Sequence, residues 1–255
     1  MPDFRVHLHP APARDARELV LPPDETHHLV NVNRARPGDP VVAFDGAGTE
    51  WTCTLDRLEG KKSAVLRVLS TAARPPLPCA LMLGQGLPKG GTMDDIVRQA
   101  TELGAALIAP LLTTRSEVRL DTDRADKKTD KWRVAAIEAA KQCGNPWVPA
   151  IAAPASLAAF LATPAVCEAE LKLVASLHPG ARSLRATLAD FRAAHAGRAP
   201  RSAAWLVGPE GDLTPEEVAA ALAEGWVPVT LGPLVLRCDT AATAALAALR
   251  FETEA

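Results

Sequence analysis

The chain has 255 residues, 48% hydrophobic and 23% charged, with 28 basic against 30 acidic side chains. That make-up fits a globular protein of one large or two modest domains, and no apolar run approaches the roughly 18 residues of a membrane span. Without a global basic excess, any nucleic-acid contact must come from a local patch or a groove assembled between subunits.

Residues 1–72 read as a small β-rich unit. Five alternating segments, Arg5–Leu8, Glu18–Leu21, Pro40–Phe44, Trp51–Leu55 and Ser63–Leu69, are separated by turn signals at Pro22-Pro23, Pro37-Gly38-Asp39, Asp45–Gly48 and Glu59–Lys62. Short strands at this spacing predict a small barrel. Before them, MPDFRVHLHPAP places Arg5 and His7 where a secretion signal needs an apolar core, so cytoplasmic residence is expected. The Pro-rich stretch Thr71–Pro78 marks the boundary between a domain of residues 1–72 and one of residues 73–255.

From Cys79 the rhythm changes to alternating strands and helices. Cys79–Gly84 is a predicted strand, followed by a helix capped by Thr92, running to Leu103 and ended by Gly104. Strand Ala106–Leu112 leads into a charged loop, Arg115–Asp130, and a helix from about Lys131 to Gln142. Strand Leu171–Leu177, a helix near Ser183–Ala194 and strand Ala203–Gly208 come next. Thr214-Pro215-Glu216-Glu217 then offers Thr at the N-cap, Pro at the first helical position and Glu three residues after the cap, with Gly225 closing the helix. Strand Val227–Gly232 and an Ala/Leu-rich helix Thr240–Phe251 complete an α/β domain with a mostly parallel sheet.

The last fifty residues carry the functional signal. AWLVGPEGD (Ala204–Asp212) and LGPLVLRCDTAA (Leu231–Ala242) each set a Gly-Pro turn directly after an apolar strand. Such loops present unpaired main-chain groups at the carboxyl edge of a sheet, where open α/β folds bind ligands. Two of them suggest a cofactor held mainly by backbone. Gly86–Gly91 (GLPKGG) lacks the order of a phosphate loop, and Lys89 stands where a dinucleotide fingerprint needs its third glycine, which tells against NTPases, kinases and NAD enzymes. The five cysteines, Cys53, Cys79, Cys143, Cys167 and Cys238, are scattered without a C-x-x-C pair, so buried or semi-buried thiols are expected and neither a disulfide framework nor a metal site.

Five ordered blocks resemble the RsmE-type ribosomal RNA uridine N3-methyltransferases of the SPOUT class. The first runs from His27-His28-Leu29 through Arg34, Pro37-Gly38-Asp39 and Phe44-Asp45-Gly46. The second holds Leu87-Pro88-Lys89-Gly90, Met93, Ala100-Thr101-Glu102-Leu103-Gly104 and Pro110, the third Thr114-Arg115-Ser116, and the fourth Glu138-Ala139 with Gln142-Cys143-Gly144. The fifth is Val207–Thr214, then Leu231-Gly232-Pro233, Leu236-Arg237 and Thr240-Ala241.

The resemblance implies a PUA-like, RNA-binding β-barrel before a trefoil-knotted α/β domain, acting as a homodimer. It implies that S-adenosyl-L-methionine binds at Gly208, Pro209, Glu210, Gly211, Leu231, Gly232, Pro233, Leu236 and the strand end Leu177. Its implied substrate is a uridine N3 of 16S ribosomal RNA, met within the small subunit. RNA contacts are expected from Arg5, Arg34, Lys89 and Arg115. Uridine N3 must lose a weakly acidic proton, so a base or an anion-stabilising cation is needed. Arg237 is the candidate cation, with an ion pair to Asp239 or Glu210 as the alternative. Glu210 is the candidate proton acceptor, unless it only shapes its loop. The sequence departs from the family pattern at Leu234, at Cys238-Asp239, at Asp212 and at Asn145-Pro146-Trp147. Cations missing at Leu234 and in Asn145-Pro146-Trp147 leave open a catalytically reduced RNA-binding protein on the same scaffold.

Overall fold

A computed structural model describes residues 4–60, 62–177 and 180–253; Lys61, in the predicted Glu59–Lys62 turn, lies outside the described residues. The chain forms two units, Met1–Pro76 with Ile137–Val148 and Leu77–Ala136 with Pro149–Ala255.

The first unit is built on β1 (Phe4–His7), β2 (Glu18–Val20), β3 (Pro40–Phe44), β4 (Thr49–Glu59) and β5 (Ser63–Ala73). They form one sheet in the order β1-β3-β4-β5-β2, parallel only between β1 and β3. Register shifts between Thr52 and Cys53 and between Leu55 and Arg57 let the long β4–β5 ladder bend. Val6 of one edge strand and Leu19 of the other join the same core as Val41, Trp51, Leu55 and Leu66, so the sheet curls around one apolar interior. Helix α1 (Pro23–His27) and a π-helical turn (His28–Val32) lay Leu29 on that core. Lys141 adds the chain's re-entry into this unit by pairing with Glu25 at 2.5 Å, and Trp147 Nε1 donates to the Arg74 carbonyl.

The second unit contains β6 (Ala80–Gly86), α2 (Thr92–Glu102), β7 (Ala105–Leu112), α3 (Thr122–Cys143, whose last turns belong to the first unit), β8 (Ala150–Ile151) and β9 (Ala155–Ser156). There follow α4 (Leu157–Leu161), α5 (Pro164–Cys167), β10 (Leu171–Ala175), β11 (Arg182–Ser183), α6 (Leu184–Ala194), β12 (Ser202–Val207), α7 (Pro215–Ala223), β13 (Val227–Thr230) and α8 (Cys238–Thr253). The sheet order is β11-β13-β10-β12-β6-β7-β8, with β9 also on β7, and every pairing is parallel.

Period-2 alternation decides which face each side chain joins. Met82, Ala204 and Leu206 face Phe160, Leu213 and Trp226, while Leu81, Leu83 and Trp205 are buried outside that cluster. Truncating the fully buried Trp205 to Ala would cost on the order of 3–5 kcal/mol. Helix α8 packs on α2, β6 and β12. Its Arg250 guanidinium donates to the carbonyls of Cys79, Leu103 and Gly104, which fastens the end of the chain to β6 and α2.

Three local expectations are corrected. Gly91 rather than Thr92 is the N-cap of α2, with no side-chain cap bond. Helix α3 starts at Thr122, not near Lys131, because the Asp121 carboxylate accepts the Arg124 N–H at 2.9 Å and starts the helix inside the presumed loop. Cys143 and Cys167 are exposed, although Cys53, Cys79 and Cys238 are buried. Gly104 and Gly225 do end their helices at φ 72° and 81°, and the Thr214–Glu217 capping box forms as predicted.

Candidate functional site

Strands β10, β12 and β13 are neighbours whose carboxyl ends open on one side of the sheet. Residues from the three ends, together with the N-termini of α2 and α8, line a cavity of about 340 Å³. Its wall combines Leu177, Gly208, Pro209, Glu210, Leu231, Leu236 and Arg237, seven of the residues singled out in the sequence. Gly211, Gly232 and Pro233 complete the two loops without lining the cavity.

The loop after β12 is held rigidly. Gln85, fully buried, donates its amide N–H to the Gly86 carbonyl at 2.9 Å and the Gly208 carbonyl at 3.1 Å. A Cβ on Gly86 would run into the Pro209 ring, and one on Gly208 would reach the Asp212 backbone at 3.0 Å, so close approach makes both positions glycine. Asp212 adopts φ 61°, the left-handed conformation that Asp tolerates better than most residues, with its carboxylate accepting the Leu213 N–H. From the neighbouring loop, Arg115 donates to the carbonyls of Gly211 and Leu213 at 2.9 and 3.3 Å. Thr114 donates through its N–H and its hydroxyl to Glu217, the capping-box glutamate.

The N–H groups of Glu210, Val235 and Leu236, three residues that line the cavity, have no acceptor among the described residues. Leu234 and Val235 stand 72% and 83% exposed at the rim. This wall of apolar side chains and open N–H groups suits a ligand with an apolar body and polar edges.

Two ionisable residues mark the rim. Arg237 is 83% exposed in its side chain and makes the ion pair with Asp239 that the sequence offered as its alternative, Nε to Oδ1 3.7 Å. Glu210 accepts the Lys89 N–H at 3.0 Å. Cys238 lies beneath them with its thiol pushed up, first by burial and next by the negative charge of Glu210, so it stays protonated at neutral pH. Sequence reasoning missed Thr92, Ser176, Asp212, Val235 and Cys238 as lining residues. All but Thr92 flank the two Gly-Pro loops or the β10 end, a signal that was available.

The remaining expected RNA contacts belong to both units. Lys89 pairs with Glu117 at 2.7 Å. In the first unit, Arg34 is exposed at φ 60°, and Arg5 is held by Glu50 at 2.7 Å beneath the Phe44 ring. Among the described residues, no group of three His, Cys, Asp or Glu side chains is placed to hold a metal ion. Among the described residues, no helix is long and apolar enough to cross a membrane.

A parallel α/β domain with a backbone-lined cofactor cavity, preceded by a small curled β unit, defines the class. Residues 75–250 match the family described as RNA methyltransferase domain, and residues 21–69 match RNA methyltransferase PUA domain. Ribosomal RNA small subunit methyltransferase E of Bacillus subtilis is 30% identical over 100% of this chain and 98% of its own length. The protein of the same name from Synechocystis is 33% identical over 90% of this chain and 71% of its own. The crystal structure of ribosomal RNA small subunit methyltransferase E from Neisseria gonorrhoeae bound to S-adenosyl methionine superposes with a TM-score of 0.84 at 29% identity, covering 98% of both chains. The chain belongs to the RNA methyltransferase family, among the ribosomal RNA small subunit methyltransferase E proteins.

Proposed function

We propose that this enzyme transfers a methyl group from S-adenosyl-L-methionine to N3 of a uridine in 16S ribosomal RNA. The observation that carries the reading is the cavity at the ends of β10, β12 and β13, where apolar side chains meet open main-chain N–H groups of both Gly-Pro loops. Leu177, Leu231 and Leu236 would enclose the cofactor and Gly208, Pro209 and Glu210 would hold it through backbone, with Gly211, Gly232 and Pro233 setting the course of the two loops. When bound, the cofactor supplies an electrophilic methyl group on a sulfonium.

The chain's own task is to orient uridine N3 in line with that methyl group and to manage one proton. As the C–N bond forms and the C–S bond breaks, the N3 proton leaves. Arg237, fixed in charge and exposed at the rim beside Asp239, stabilises the uridine anion. Glu210 is the carboxylate at hand for the proton. Only one of its oxygens accepts the Lys89 N–H.

In this reading residues 1–72, with Ile137–Val148 folded into the same unit, form the PUA-like RNA-binding unit, and the rest of residues 73–255 form the cofactor-binding domain. The substrate is the RNA within the small subunit, and the enzyme works in the cytoplasm. Exposed Arg34 and Lys89 contact RNA, whereas Arg5 and Arg115 act by shaping their loops. The family's knotted crossing belongs to this reading, with α8 packed on α2, β6 and β12. Phe251, 81% exposed on α8, supports a homodimer through that helix.

The test is calorimetric titration with S-adenosylmethionine, followed by nucleoside mass spectrometry of small subunits after incubation. Micromolar binding, abolished by Gly208→Arg, with N3-methyluridine formed, is the expected result. Absence of binding at millimolar ligand would overturn the reading and leave an RNA-binding scaffold without catalysis.

A further inference from the structure

The segment that sequence reasoning left as a charged loop is the first half of α3, and as a helix its charges acquire an order. Arg124, Lys127, Lys128 and Lys131 recur at i, i+3, i+4 and i+7, so they share one face covering about 100° of the circumference and about 10 Å of length. Asp123, Asp126 and Asp130 fall on a separate strip beside it. The buried strip, Thr129, Trp132 and Ala136, points elsewhere.

Within the cationic strip like charges oppose one another, even though Asp123 stands four residues before Lys127 on the neighbouring strip. Arg124 and Lys128, and again Lys127 and Lys131, are like charges at i and i+4, an arrangement that opposes helix formation. Neutralisation along the strip is partial. Arg124 lies 3.4 Å from Asp121, both exposed, and Lys128 sits 5.8 Å from the Trp132 ring centre. Lys127 has no ion pair among the described residues. A strip of repelling cations is relieved by a polyanion.

Its position gives it a use. At the carboxyl end of the strip Lys131 meets Asp94 at 2.5 Å, and the same carboxylate accepts Trp132 Nε1 at 2.9 Å. Asp94 lies in the first turn of α2, two residues from Thr92, which lines the cofactor cavity. The cationic strip therefore leads towards the rim where methyl transfer is placed.

Building on the methyltransferase reading, we infer that the Arg124-Lys127-Lys128-Lys131 face of α3 is a phosphate-binding track for the RNA strand entering the active site. It positions the backbone and carries no base specificity.

The test compares the wild type with Arg124→Gln/Lys127→Gln/Lys128→Gln, which keeps good helix formers and spares Lys131 and its structural carboxylate. RNA affinity is read on a small-subunit ribosomal RNA transcript across a salt series, with cofactor affinity in parallel. The triple variant should bind RNA about ten- to a hundredfold more weakly at 0.15 M salt, its log–log salt slope should shrink by about 2, and cofactor affinity should be unchanged. Asp123→Asn/Asp126→Asn/Asp130→Asn should bind RNA at least as tightly as the wild type. An unchanged affinity and slope in the triple Gln variant, with wild-type cofactor and RNA binding intact, would overturn the track while leaving the methyltransferase reading standing. A wild type that binds neither ligand would overturn both.

Discussion

The Arg115 guanidinium donates to the Gly211 carbonyl at 2.9 Å, so the loop after β7 grips the loop after β12. A cation expected on the RNA surface is thereby turned onto the backbone that forms the cofactor cavity. Arg115→Ala should lower cofactor affinity about three- to tenfold with little change in RNA salt dependence. Arg115→Lys should recover only part, because an ammonium cannot reproduce a fork that reaches both Gly211 and Leu213. Calorimetry on the three proteins decides it: undiminished cofactor binding in the Ala variant would return Arg115 to a direct RNA role.

Gln85 makes a second grip on the same loop, from inside. Gln85→Leu would strand the Gly208 carbonyl without its donor in a buried setting, at a cost of about 1–3 kcal/mol. Gln85→Glu is the sharper probe, since an ionised carboxylate would face two carbonyl oxygens. We expect both variants to lose stability in urea titrations, Glu more than Leu at pH 8, with the gap closing as the pH falls and the carboxyl is protonated. An equal loss at every pH would mean that Gln85 only fills space.

The features legible in the sequence were those written in local chemistry. Gly-Pro after an apolar run, Thr-Pro-Glu-Glu at a helix start and glycine at a helix end each depend on neighbours a few residues away. Hence the cavity-forming loops and the α7 capping box could be read directly. The α3 start could not, because only Ala125 and Thr129 face inward before Trp132, too sparse a stripe to outweigh the charge around it. Thr92 joins the cavity by tertiary packing, with nothing in its own surroundings to announce it. The inward turn of Arg5 depends on Glu50, 45 residues away, and a type-and-spacing argument could not separate it from Arg34.

Glu217 serves two elements at once. It completes the capping box with Thr214 and accepts both the N–H and the hydroxyl of Thr114. Glu217→Ala should therefore cost more than the roughly 1 kcal/mol of an ordinary cap. Amide exchange should speed up at Thr114 as well as at the start of α7. Faster exchange confined to α7 would show that the link to Thr114 contributes nothing.

Acid should weaken the first unit through Glu50. Burial alone would raise its carboxyl, but hydrogen bonds from Arg74 and then Arg5, each at 2.7 Å, outweigh that and hold it below the ordinary 4.5. A depressed folded value means the pair stabilises fully above the unfolded value, near pH 4.5, and that this contribution drains away as pH falls through the folded one. Glu50→Gln removes the titration and leaves Arg5, half-buried over Phe44, without its charged partner. At pH 7 that variant should be less stable by on the order of 2–4 kcal/mol. Between pH 5 and pH 3 its urea midpoint should fall less than that of the wild type. Parallel midpoint curves across that interval would show that the Glu50 ion pairs do not couple folding to protonation.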